Sequence, residues 1–121
     1  PAAEAVIAKY QRGHQSWSDT ELTQILAIPM WIEAAEVLAT GVVNDFESVE
    51  LAMRCGLGYR NSSGFFGFFD HMGIDTLRHH LIETSKLFRG LRANDALVSA
   101  LDASSTASDA LQRYMRRECE V

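Results

Sequence analysis

Hydrophobic side chains return every three or four residues along most of the chain, and glycines and prolines cut that rhythm into segments. This pattern predicts helices. Strand-like alternation over four or more residues is confined to one short aromatic stretch, so the fold class expected is all-α, as one helical domain over residues 1–121.

The first segment, AAEAVIAKYQR at residues 2–12, is rich in helix formers, places Val6, Ile7 and Tyr10 on one side, and ends at Gly13. A second helix should begin at SDTE, residues 18–21, which has the form of a capping box between Ser18 and Glu21. It carries Leu22, Ile25, Leu26, Pro29, Ile32, Ala35 and Leu38 as a broad apolar face up to Gly41, and Pro29 should bend it. Asn44 is the expected cap of DFESVELAMRC, with Phe46, Val49, Leu51 and Met53 inward and Gly56 and Gly58 at its end. Asp75 should cap TLRHHLIETSKLFR, with Leu77, Leu81, Leu87 and Phe88 on or near one face. NDALVSALDA and SDALQRYMRREC then form two more helices around the loop SSTAS, with Ser108 as cap of the last.

Between these lies GLGYRNSSGFFGFFDHMGID, residues 56–75, with five glycines and five aromatics. A phosphate cradle would need a strand before the glycines and the full GxGxxG spacing, whereas here a helix comes first and the third glycine is missing. Burial of an aromatic wedge between helices is the simpler reading. On a helix, Phe65, Phe68, Phe69 and Met72 share a face, and Phe66 falls elsewhere, as the candidate for a dimer or cleft contact.

Charge narrows the choice of partners. A net charge of -5 and a pI near 5.3 argue against a nucleic-acid binder, whose affinity rests on clustered Lys and Arg. No apolar run is expected to approach the roughly 18 residues of a membrane span, so no membrane partner is expected. Two cysteines without a CxxC pair, and no signal peptide, point to the cytoplasm.

Candidate chemistry is sparse. Asp70, His71, Asp75, His79 and His80 are the densest group of possible ligands, yet they lack an i, i+4 His pair, and adjacent His79 and His80 diverge by roughly 100° on a helix; no metal site is expected. Cys55 reads as a small core residue beside Met53, Glu33 and Glu36 as one exposed helix face, and Trp17 and Trp31 as core or interface anchors.

The run IPMWIEAAEVLATGVVNDFESVELAMRCGLGY, followed by Gly64, Asp70, Gly73, Ile74 and Asp75, resembles the C-terminal domain of the NAD-dependent L-3-hydroxyacyl-CoA dehydrogenase family over about residues 18–77. The resemblance implies the helical fold of that family and of the 6-phosphogluconate dehydrogenase C-terminal-like domains. A family-like core over about 18–90 and a helical extension over 91–121 would follow. Departures are visible at Gly58-Tyr59-Arg60, where the family has Gly-Tyr-Pro, and at Gly64-Phe65-Phe66, where it has Gly-Pro-Phe. Gln24 stands five residues before Pro29, where catalytic copies carry a substrate-contacting Asn, and the start WSDTELTQILAIPM is similar to the second, degenerate copy in multifunctional members.

By resemblance, Gln24, Tyr59 and Ser62 are the substrate-binding candidates, while the aromatics Phe65, Phe66, Phe69 and Trp31 are the interface candidates by their apolar surface. The family's catalytic residues and its NAD site belong to a preceding Rossmann domain, so no catalytic residue and no cofactor are expected on this chain itself. Its implied partners are that domain, an acyl-CoA at the cleft between them, and a second copy in a homodimer. The alternative, of another class, is a non-enzymatic helical dimerisation or protein-interaction module.

Overall fold

The computed structural model describes residues 2–13, 16–60, 62–87, 90 and 93–119. Its described elements are helices alone: α1 (Ala2–Tyr10), α2 (Asp19–Ala39), α3 (Phe46–Gly56), α4 (Gly64–Met72), α5 (Ile74–Leu87), α6 (Asp95–Asp102) and α7 (Ala107–Cys119). The fold is all-α.

Helix α2 is the axis of the domain. It starts where the sequence says, with the Glu21 backbone N–H donating to Ser18 Oγ at 3.2 Å and the Ser18 N–H to the Glu21 carboxylate at 2.9 Å. It runs on through Pro29 and packs against α5 and α7, burying Ala27, Ile28, Trp31, Ile32, Ala34, Ala35 and Leu38. The apolar face is therefore displaced from the one expected: Leu22 and Leu26 are exposed, and Ile28 and Trp31 occupy the core. By length and composition this helix is long and apolar enough to cross a membrane, contrary to the expectation that no apolar run reaches that length. Its apolar side chains from Ala27 onward are instead the centre of the core.

Caps that join neighbours in sequence fall within a residue or two of expectation. Asp45, not Asn44, caps α3 by accepting from the Ser48 N–H at 2.7 Å. Asp75 lies inside the first turn of α5, and α6 is capped by Asn94. At α7 the hydroxyl of Thr106 accepts from the Asp109 N–H, so Thr106 takes the place expected for Ser108. Phe88 lies outside the described residues, as does the side chain of Leu87.

The remaining helices are fastened over long range. Asp70 at the end of α4 accepts from the Ser108 N–H at 2.9 Å and from its hydroxyl at 2.7 Å, which pins the first turn of α7 onto α4. The Glu36 carboxylate on α2 accepts from Tyr114 at 3.0 Å and from the Asn94 side chain at 3.2 Å, tying together α2, the start of α6 and α7. Glu36 is thus a structural link. Arg78 and Asp102 join α5 to α6 at 3.0 Å.

Helix α4 fills the space these elements enclose. Phe65 and Phe69 are fully buried, Phe69 against Trp31, and Phe66 stacks on Phe46 at 4.5 Å between ring centres. Gly73, at φ 86°, permits the sharp exit from α4 into α5. Cys55, expected in the core, is exposed because the inward face of α3 is set by Phe46, Val49 and Met53. Leu51 is exposed for the same reason, and Trp17 lies at the surface ahead of the α2 cap.

Candidate functional site

The glycine-rich segment leads into the N-terminus of α4, where backbone N–H groups could receive an anion. That position is filled from within. The Glu50 carboxylate accepts from the Phe65 N–H and the Phe66 N–H, each at 2.8 Å. Gly64 permits the approach, since a Cβ there would lie 2.8 Å from Glu50 Oε1 and its φ of 75° disfavours a side chain. An incoming phosphate would have to displace a charged side chain from a half-buried seat. The start of α4 therefore offers no free seat for a phosphate.

The three substrate-binding candidates gather elsewhere. Two adjoining hollows share Thr23 and Phe68 as walls; one, of about 370 Å³, is completed by Asp19, Gln24, His71 and Met72, and the other, of about 460 Å³, by Tyr59, Arg60 and Ser62. Gln24, Tyr59 and Ser62 therefore border one continuous stretch of surface between the start of α2, the α3–α4 turn and α4. Neither Thr23 nor Phe68 stood among the site candidates. Phe68 is the wedge residue left partly open, with Tyr59 edge-on to it at 6.3 Å.

Gln24 is held in place. His80 donates from Nε2 to Gln24 Oε1 at 2.7 Å, across from α5 to α2, so the amide carbonyl is engaged and its NH₂ is the group able to donate to a ligand. Partial burial lowers the His80 pKa from its ordinary 6.5, with adjacent His79 adding to the shift and Glu21 opposing it. His71 engages the Gly67 carbonyl through Nδ1 at 2.6 Å. The possible ligands have other partners: Asp70 accepts from Ser108, His71 engages Gly67 and His80 donates to Gln24. Among the described residues no three ligating side chains gather.

The four interface candidates lie buried within this chain. Trp31, Phe65 and Phe69 have no exposed surface and Phe66 only 6%, because α4 is covered by α3 on the Phe66 side and by α5 and α7 elsewhere. They belong to the core that holds the domain together. Surface apolar side chains lie instead along α2 and α3, where a groove of about 490 Å³ is lined by Met30, Val37, Val43, Val49, Met53 and Leu57, among others. A larger hollow of about 620 Å³ between α5 and α6 has cations at its edge, but Arg78 is paired with Asp102 and Lys86 with Glu83.

The described residues thus form a helical domain with a buried aromatic wedge, an internally satisfied glycine turn and a shallow polar-edged hollow. The chain matches the family described as 3-hydroxyacyl-CoA dehydrogenase, C-terminal domain, over residues 22–115, and it belongs to that family. The matched span takes in α6 and most of α7, the segments read from the sequence as an extension. No curated protein and no solved structure matches the chain.

Proposed function

We propose that this chain is the substrate-side helical domain of an oxidoreductase that interconverts 3-hydroxyacyl-CoA and 3-oxoacyl-CoA in fatty-acid oxidation, working beside a Rossmann domain that carries NAD. The observation that carries the reading is the convergence of Gln24, Tyr59 and Ser62 on one surface that also includes Thr23 and Phe68. Family membership supports the class of reaction. In this reading the Gln24 NH₂ donates to a carbonyl of the acyl-CoA, His80 fixes the amide, and Phe68 and Tyr59 give the acyl portion an apolar wall. The chain orients substrate and helps exclude water; the redox step belongs to the other domain. We place the assembly in the cytoplasm as a homodimer.

Two observations test this. A Rossmann domain encoded ahead of the helical domain in the full-length gene is expected, and its absence there would favour the rival reading of a non-enzymatic dimerisation module, which the apolar groove between α2 and α3 supports. The purified 121-residue chain, assayed with a 3-oxoacyl-CoA and NADH, should show no turnover. Turnover at enzymatic rates would contradict the division of labour.

A further inference from the structure

We propose that the groove between α2 and α3 receives helix α1 of a second copy of this chain, by reciprocal exchange. The proposal deepens the homodimer reading above and rests on it.

Helix α1 is nine residues long and buries none of them; Val6, Ile7 and Tyr10 are 58%, 65% and 71% exposed. A helix below about 12 residues is marginal in water without packing, so this one needs a surface. Val6 and Tyr10 are one turn apart and Ile7 sits beside them, which gives α1 a single convex apolar stripe. The same chain carries the concave counterpart. Met30, Val37, Val43, Val49, Met53 and Leu57 line it, and Leu57 is 66% exposed at its end.

Charge agrees with shape. Among the described residues Glu33 is the only ionisable one lining the groove; it is exposed and is in no ion pair with another of them. Beside its apolar stripe, α1 carries Lys9 in its last turn, and Arg12 follows two residues beyond the helix. A docked α1 would bring these cations to Glu33 while its stripe covered the apolar lining. Each chain offers one helix and one groove, so two copies satisfy each other and the assembly closes.

The test is sedimentation equilibrium of the 121-residue chain and four variants, with circular dichroism as a check on folding. Ile7→Asp and Leu57→Asp change exposed positions, so each should keep its helicity while weakening dimerisation by roughly tenfold or more. An equimolar mixture of the two should associate more strongly than either alone, because one helix and one groove remain intact in the mixed pair. Lys9→Glu should weaken the dimer a few-fold, and adding Glu33→Lys to the same chain should restore it. A dimer insensitive to Ile7→Asp would overturn the exchange and leave the homodimer reading standing; a chain monomeric at millimolar concentration would overturn both. A monomer whose thermal stability falls with Ile7→Asp would mean that α1 docks on its own chain, and would also overturn the exchange.

Discussion

The two halves of α2 are built from similar residues and end in opposite surroundings. From Ala27 to Leu38 seven side chains are buried against α5, α7 and α4, whereas from Asp19 to Leu26 none is, although Leu22, Ile25 and Leu26 continue the apolar pattern. The second half is used by the fold. The first half holds Thr23 and Gln24 at the edge of the candidate site and keeps Leu26, 69% exposed, at the surface. An apolar stripe thus identifies a helix well, but it does not say which turns are spent on the chain's own core and which on something outside it.

The sharpest way to break this contrast is to empty the second half's surroundings. Phe69→Ala removes a fully buried ring packed on Trp31 and should cost roughly 3–5 kcal/mol in urea unfolding. A cost of a few tenths would mean that the aromatic wedge is not the core. Next comes Asp70→Ala, which frees the first turn of α7 from α4; loss of about 1–2 kcal/mol is expected, with amide exchange rising first at Ser108 and Asp109.

Acid should loosen the first half of α2 selectively. His80 has a folded pKa below its ordinary 6.5, so its neutral form favours the fold, and stability is lost as pH falls from 6.5 through the folded value. Glu21 follows at lower pH: the Ser18 N–H holds its carboxyl below the ordinary 4.5, and the cap is lost as pH falls through that lowered value. Hydrogen exchange at the Leu22 and Thr23 amides should therefore accelerate before exchange at Trp31 and Leu38, and simultaneous acceleration would erase the distinction between the halves. The smallest effect is expected at Leu26→Ala, within about 0.5 kcal/mol for the isolated chain.

Local chemistry made the helices and the Ser18–Glu21 box legible, because those interactions span three or four residues. The caps from Glu50 to α4 and from Asp70 to α7 were not, since their partners stand 15 and 38 residues away and only packing brings them together. Phe66 shows the same limit. Its angular separation from Phe65 and Phe69 was readable, but not that Phe46 would cover it. For the candidate site, Gln24, Tyr59 and Ser62 came from resemblance, and the tertiary turn of the chain added Thr23 and Phe68.

In the proposed function the surface around Gln24 meets an acyl-CoA. An amide-resolved NMR titration of the chain with a 3-hydroxyacyl-CoA tests it most directly. Shift changes should centre on Thr23, Gln24, Tyr59, Ser62 and Phe68 and be sharply reduced by Gln24→Ala. Absence of change there at millimolar ligand, or change confined to the groove between Met30 and Leu57, would contradict it.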